Sequence, residues 1–385
     1  MNFELNEDQI AFADLARSFA EKEFEPNAAE WDEQQIFPLE TLRKAGELGL
    51  CGLYAPEDVG GLGLSRLDSS IIFEELAQGC TSTTAYLTIH NMVAWMIAEF
   101  GNEATRNQWC PALTAGEQFG SYCLTEPNAG SDAASLKTSA SRDGDDYLLN
   151  GSKIFISGAG ATDVLVVMAR TGEAGAKGIS AFAVDAKSEG ISYGRKEQKM
   201  GWNSQPTRMV TFDEVRVPAS AMLGAEGDGF KIAMKGLDGG RINIGACSIG
   251  TAQAALKRAR NYLLERSQFG KTLSNFQALQ FKLADMTTQL VAARQMIRLA
   301  ASRLDAGHAD KTVYCAMAKQ FATDAGYTVA DEALQIFGGN GYIKEYPLER
   351  YLRDNRVHRI LEGTNEIMRL IIARRALMQD AAELL

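Results

Sequence analysis

The sequence predicts an α+β protein in which a β domain sits between two helical ones. Three observations carry this prediction: apolar residues recur with helical spacing over the first third, short β-rich runs with turn residues fill the middle, and long helical stretches with short connections follow residue 230 or so. A chain of 385 residues also exceeds what one hydrophobic core usually supports. The predicted domains are 1–118, all helical; 119–230, an antiparallel β domain; and 231–385, a helical bundle.

In the first domain, DQIAFADLARSFAEKEF and SSIIFEELAQGC place apolar side chains on one helical face, and the glycine-rich VGGLGLS between them breaks the pattern. In the second, YLLNGSKIFIS carries Asn150-Gly151, a favourable pair for a bend between strands. DVLVVMAR, GISAFAVD and MVTFDEVRVP supply further strands. In the third, AALKRARNYLLERSQF, QALQFKLADMTTQLVAARQMIRLAASRLDAG and TVYCAMAKQFATDAGYTVADEALQIF carry helical periodicity and no strand signal, so a bundle of four or more helices is expected. No βαβ alternation or internal repeat occurs, which disfavours a Rossmann fold.

Composition excludes several functions. With 49 acidic against 39 basic residues and no basic tract, a nucleic-acid partner is not expected. No run approaches the ~20 apolar residues of a membrane span, and MNFELNEDQI is acidic rather than apolar, so a cytoplasmic chain is expected. The six cysteines lack CxxC spacing and the three histidines are scattered, so neither a disulfide framework nor a metal site is expected.

Local rules are broken in three places. In GLDGGRINIGA, Gly239 and Gly240 interrupt a helical pattern; the stretch either starts or bends a helix there, or brings backbone close to a ligand beside Arg241. SYCLTEPNAGSDAASL turns a β-run into a loop of small and hydroxyl residues, either an ordinary polar turn or the lining of an anion or a flavin edge. QIFGGNGY ends a helix with more glycine than a simple cap needs. In ILEGTNEIMRLIIAR, Glu362 precedes an amphipathic helix that Thr364 is placed to cap, and a carboxylate there suits the helix dipole without any catalytic role.

In order and spacing, SYCLTEPNAGSD, NGSKIFISG, ERSQFGKTLSNFQALQ, QIFGGNGY and LEGTNEIMR resemble the acyl-CoA dehydrogenase family over essentially the whole chain. The resemblance implies that family's fold: an N-terminal helical domain, a middle β domain and a C-terminal four-helix bundle. It implies noncovalent FAD, an acyl-CoA substrate, electron transfer flavoprotein as electron acceptor and a homotetramer. LTIHNMVAWMI, GWNSQPTR and GGRINIGACSIG resemble the members acting on isobutyryl-CoA, an intermediate of valine breakdown; butyryl-CoA and 2-methylbutyryl-CoA are the alternative substrates. A flavin monooxygenase of the same fold or a noncatalytic binding paralogue would lack the Glu-Gly-Thr motif. Acyl-CoA oxidases usually carry a further C-terminal domain, so the end at LIIARRALMQDAAELL favours the flavoprotein over oxygen as acceptor.

The resemblance assigns roles residue by residue. Glu362 matches the base that removes the α-proton, and its backbone N–H, with a flavin ribityl hydroxyl, would polarise the thioester carbonyl. Some members place their base near position 240, where this chain has Gly240 beside Arg241. Tyr122, Cys123, Leu124, Thr125 and Ser131 match the first flavin loop, with Leu124 and Thr125 at the ring. Phe155, Ile156 and Ser157 match the strand backing it, Phe155 stacking and Ser157 near flavin N5. Arg266, Phe269, Phe276, Gln277 and the segment Gln335, Ile336, Phe337, Gly338 and Gly339 match positions holding the diphosphate and adenosine, partly from a neighbouring subunit. Thr364, Asn365 and Glu366 are also assigned to FAD; Asp238, Gly239, Gly240, Arg241, Leu361, Gly363, Arg374 and Ser131 to the substrate. Leu361 replaces the tyrosine frequent in straight-chain relatives, which leaves room for an α-methyl branch. Asn128 replaces a common glycine, a change that asparagine's tolerance of left-handed backbone should absorb.

Overall fold

The structure, a computed structural model, describes residues 4–378. Six helices come first: α1 (Glu7–Phe19), α2 (Ala28–Gln34), α3 (Leu39–Glu47), α4 (Arg66–Gly79), α5 (Thr81–Phe100) and α6 (Glu103–Thr114). Eight strands follow: β1 (Gly120–Cys123), β2 (Ser139–Asp143), β3 (Asp146–Ser157), β4 (Val164–Arg170), β5 (Ile179–Asp185), β6 (Ile191–Tyr193), β7 (Thr207–Pro218) and β8 (Met222–Leu223). The last block holds α7 (Gly229–Glu265), the hairpin β9 (Ser267–Gln268) and β10 (Lys271–Thr272), then α8 (Gln277–Asp305), α9 (Lys311–Phe337), α10 (Gly339–Tyr342), α11 (Leu348–Arg356) and α12 (Asn365–Ala376).

Helices α7, α8 and α9 pack along one another, and α12 lies on α9. The first and last blocks are not separate cores. Phe24, Phe73 and Leu76 from the N-terminal helices are buried in one cluster with Ile242, Leu256, Met286 and Val329 from the bundle. Sharing apolar surface in this way buries more of it than either block could alone, and it fixes the N-terminal helices against α7.

The sheet runs β6-β7-β3-β2-β4-β5-β8, with β1 also paired to β4. Its pairs are antiparallel except β1 with β4 and a single β2–β4 bridge, which are parallel, so the sheet is mixed rather than antiparallel throughout. Strand β4 explains its own apolar run: Val164, Val166 and Met168 face α5, α6 and α7, while Leu165, Val167 and Ala169 face the β core.

Three expectations are corrected here. Asn150-Gly151 is not a turn between strands; the chain continues through it as β3 with a bulge, and the hairpin lies earlier, at Gly144. Gly240 does not start a helix, since α7 is continuous from Gly229 to Glu265. A short hairpin, β9–β10, interrupts the last block, where two-residue strands are too brief to leave a periodic signature.

Candidate active site

Glu362 sits in the turn between α11 and α12 with φ 54°, followed by Gly363 at φ 88°. A left-handed backbone at glutamate is strained, and such positions persist only where their surroundings hold them. Arg241 Nε approaches the Glu362 carbonyl at 3.4 Å, and Lys319 Nζ donates to the Gly363 carbonyl at 2.8 Å. Thr364 then caps α12 by accepting from the Ile367 N–H. The Glu362 N–H itself donates to no acceptor among the described residues.

The side chain turns inward. Oε2 of Glu362 is sealed from solvent without a hydrogen-bond partner. It lies against α7 at Gly240, where an added Cβ would come within 2.9 Å of the carboxyl carbon and closer still to Oε2. The two glycines that break the helical pattern therefore have a cause: Gly240 makes room for Glu362, and Gly239 for Arg66, whose Nη1 would lie 2.5 Å from a Cβ there. Burial pushes the Glu362 carboxyl up to about 7, against the opposing pull of Arg241 and Lys319. Tyr122 and Tyr54 lie near enough for its charge to push their phenols up further, after burial. The Tyr122 hydroxyl is another buried atom without a partner.

Asp238 and Arg241 form a buried ion pair at 2.7 Å, and Thr312 donates to the other Asp238 oxygen at 2.7 Å. Leu361, half-buried, packs with Val357 and Ile89 against Ala77, Ala85, Trp202, Ile244 and Cys247. Trp202, at φ 57°, is pinned there: its N–H donates to Asp354 at 2.6 Å and its indole to His358 Nε2 at 3.1 Å, so Nδ1 of His358 carries the proton toward Ser248 Oγ at 2.6 Å. Burial holds that imidazole neutral, its pKa pushed down to about 3.

The loop after β1 is tied to β3. Lys153, fully buried, donates to Leu124 O at 3.1 Å and Glu126 Oε1 at 2.8 Å; Glu126 in turn accepts the Lys137 and Thr138 amides, and Ile154 N–H bonds Thr125 O. Two residues beyond Lys153, β3 bulges at Phe155, which has φ 58° and is 65% exposed. An aromatic held out of the core at a strained backbone position offers a bare face to a planar ring. The Ser157 hydroxyl beside it makes no protein hydrogen bond among the described residues. Ser131 and Gly130 are exposed, with open space at Gly130. Asn128 is exposed and keeps out of the left-handed region, so the glycine-like freedom expected of it is not needed.

Not every residue the sequence singles out offers its side chain. Cys123 and Ile156 face the β core and Leu124 packs toward α5, so contact there is left to their backbone. Asn365 is spent on Lys319, Thr323 and Asp324 of α9. Glu366 and Arg374 are exposed on α12. Arg266, Phe269, Phe276 and Gln277 form a strap at the far end of α7, Phe269 being 93% exposed at φ 53°. Ile336 and Phe337 are buried there, Phe337 stacked on Tyr262 at 4.1 Å, while Gln335, Gly338 and Gly339 are exposed with nothing near the two glycines. From Arg241 to Arg266 α7 rises 1.5 Å per residue, so these two groups lie roughly 40 Å apart within one chain.

Family models match three consecutive stretches: the acyl-CoA dehydrogenase N-terminal domain at residues 6–117, the middle domain at 121–215 and the C-terminal domain at 227–377. The chain belongs to the acyl-CoA dehydrogenase family. It is therefore an oxidoreductase of the acyl-CoA dehydrogenase type. It is 55% identical over 376 residues to the mitochondrial isobutyryl-CoA dehydrogenase of Bos taurus, covering 98% of this chain and 90% of that one. Among solved acyl-CoA dehydrogenase folds, butyryl-CoA dehydrogenase from Megasphaera elsdenii superposes with a TM-score of 0.95 at 42% identity, covering 98% of this chain and 100% of that one. A chain from a structure described as the electron transferring flavoprotein of Acidaminococcus fermentans gives 0.96 at 42% identity, covering 99% of this chain and 100% of that one. Among the described residues no helix is long and apolar enough to cross a membrane, and no group of three or more His, Cys, Asp or Glu is placed to hold a metal ion.

Lys319, Trp202, His358, Tyr54 and Arg66 escape the sequence-based reading. Lys319 had a usable signal: Cys315, Ala316 and Ala322, four and three residues before it and three after, are small and apolar, which marks the lysine's face of the helix as the buried one, and the structure buries all of them.

Proposed function

We propose that the protein is an FAD-dependent dehydrogenase that converts isobutyryl-CoA to methacrylyl-CoA. In this reading it acts in valine breakdown, in the cytoplasm, as a homotetramer that passes electrons to an electron transfer flavoprotein. The observation that carries the reading is half-buried Glu362, whose Oε2 is sealed from solvent against Gly240 with no hydrogen-bond partner among the described residues.

Glu362 removes the α-proton of the thioester. A carboxyl held near neutral acidity is matched to proton transfer around pH 7. Bound FAD supplies the acceptor for the hydride leaving the β-carbon, so the product is the 2-enoyl-CoA. The Glu362 N–H, with no acceptor among the described residues, donates to the thioester carbonyl as negative charge builds there. Arg241 and Lys319 keep the two carbonyls of that turn in place, so the proton acceptor and the carbonyl donor of one residue stay in register.

The residues present suit FAD. Phe155 presents an uncovered ring, the Ser157 hydroxyl and the loop after Thr125 offer neutral hydrogen-bonding groups, and Arg266 with the open Gly338 and Gly339 suits a diphosphate. Because Arg266 lies roughly 40 Å along α7 from Arg241, which sits at Glu362, one cofactor serving both the base and the strap around Arg266 draws them from two subunits, which favours an oligomer with FAD at a shared boundary.

The acyl preference rests on Leu361 and its apolar neighbours Trp202, Ile244, Cys247 and Ala85, together with the likeness to isobutyryl-CoA dehydrogenase. The purified protein should be yellow, and anaerobic isobutyryl-CoA should bleach the visible flavin band. Glu362→Gln should retain flavin and bind CoA esters without bleaching. A colourless protein, or bleaching of the variant at near wild-type rate, contradicts the reading.

A further inference from the structure

Lys319 is fully buried on α9, and an ammonium there normally requires a carboxylate partner. Among the described residues it has none in ion-pair contact. Its Nζ donates to two neutral acceptors, the Gly363 carbonyl at 2.8 Å and Asn365 Oδ1 at 2.9 Å. The acids nearby are already matched: Asp238 pairs with Arg241 at 2.7 Å, Asp324 with Arg359 at 2.7 Å and Arg369 at 3.1 Å, and exposed Glu366 faces Arg369 at 3.8 Å. Glu362 is left as the carboxylate whose charge Lys319 feels most.

We propose that Lys319 is a positioning residue for the base: its bond to the Gly363 carbonyl fixes the left-handed turn at Glu362, and its unmatched charge keeps that carboxylate ionised. The proposal rests on Glu362 being the base. Two features make the arrangement specific. The bond falls on the carbonyl next to the base, where a loss shifts the turn by its own geometry rather than through distant packing. The second acceptor, Asn365, is the first residue of α12 and is itself held by Thr323 and Asp324. The lysine thereby ties the base to α9.

Electrostatics agree with the geometry. Burial pushes Lys319 down to about 7, with Glu362 as the leading charge in the opposite direction, and burial pushes Glu362 up to about 7. A neutral lysine would withdraw the charge that favours an ionised base. Other groups around the pair are Arg241 and Asp238 on α7, Asp324 on α9, Glu366 on α12, Tyr122, Tyr54 and the neutral His358. None of them replaces Lys319: Arg241, the larger positive influence on Glu362, has its charge matched by Asp238, the three acids are paired with arginines, and the phenols and the imidazole are uncharged near pH 7.

The test is the pH dependence of flavin bleaching by isobutyryl-CoA in the FAD-loaded protein, comparing wild type with Lys319→Gln, which keeps an N–H donor and removes the charge. The acid limb should move up by about one pH unit, a tenfold loss at a pH below both limbs, with the rate recovering at high pH and flavin content unchanged. An acid limb at the wild-type position overturns the proposal, whatever the absolute rate. Should Lys319→Gln fail to fold, Asn365→Asp leaves the lysine in place but gives it a carboxylate to match. The limb should then also move up, and an unmoved limb overturns the proposal. Glu362→Gln run alongside separates the two ideas: bleaching by that variant removes the base itself, whereas an inert Glu362→Gln with an unshifted Lys319→Gln removes only the lysine.

Discussion

The carboxylate of Glu362 rests on the bare α-carbon of Gly240, with no room between them for a methyl group. One residue lies in a turn after the bundle and the other in the middle of α7, 122 positions earlier in the chain. Each explains the other. A helix interior tolerates glycine at a cost of up to about 1 kcal/mol relative to alanine, and here the missing side chain is the space in which the Glu362 carboxylate sits.

Gly240→Ala should therefore separate stability from activity. Alanine improves the helix, so Tm should not fall, while displacement of the carboxylate by about 1 Å should slow bleaching by around a hundredfold. Thermal melts and single-turnover bleaching of the flavin-loaded variant check both halves. Wild-type bleaching with an added methyl would mean that Glu362 has another place to work from.

The ionisation of Glu362 gives a second prediction. Its carboxyl is raised from 4.5 to about 7, so kcat/KM should fall as pH drops below about 7, tenfold per unit, where an ordinary carboxyl would stay active to near pH 5. Stability runs the other way. The folded protein holds this proton more tightly than the unfolded chain, so the contribution is fully present below 4.5 and is lost as pH rises through about 7. Glu362→Gln should accordingly gain Tm relative to wild type between pH 5 and pH 8, measured by differential scanning fluorimetry at both.

How much of this was legible in the sequence depends on what each residue needed. LEGTNEIMR and QIFGGNGY were visible because glycine and an acid in unusual company stand out locally. Gly240 announced that something required space but not what, because its partner is 122 positions away. Asn150-Gly151 misled, since a pair suited to a tight turn equally suits a bulge within a long strand. His358 looked incidental. Its role as acceptor for the Trp202 indole depends on a fold that brings the GWNSQPTR loop against the segment before Glu362.

Lys153 supplies a third prediction. Breaking a buried pair by removing one partner costs about 3–5 kcal/mol, and Lys153 also holds the Leu124 carbonyl. Lys153→Met should lower Tm and, at temperatures where the protein stays folded, release flavin more readily, because the loop after β1 loses its tie to the strand bearing Phe155. Flavin fluorescence after gel filtration reads the release. A variant that melts earlier but retains flavin fully would confine Lys153 to packing.

Arg266→Ala should weaken FAD retention and tetramer formation together. Its guanidinium is exposed at the end of α7, where it suits a charge-assisted bond to a diphosphate from the neighbouring subunit's site. A ligand bound across a subunit boundary stabilises the assembly that binds it. Sedimentation velocity with simultaneous flavin absorbance is the measurement, and a fully loaded tetramer would contradict the assignment.

The acyl group gives the last prediction. Leu361 is half-buried and shares its apolar surroundings with Trp202, Ile244, Cys247, Ala85 and Ile89, so a larger side chain at 361 has to take volume from the space next to Glu362. An α-methyl branch needs that volume and a straight chain does not. One methyl in an apolar pocket is worth about 1–3 kcal/mol, so discrimination should be real but incomplete. The expected order of kcat/KM is isobutyryl-CoA, then 2-methylbutyryl-CoA or butyryl-CoA, with isovaleryl-CoA and long chains poor. Leu361→Tyr should shift preference toward butyryl-CoA, since the ring fills the volume a branch would need. A substrate panel with an artificial electron acceptor decides it. An unchanged order in Leu361→Tyr would place the branch site elsewhere, and butyryl-CoA as the best substrate of the wild type would replace the branched acyl group with the straight one.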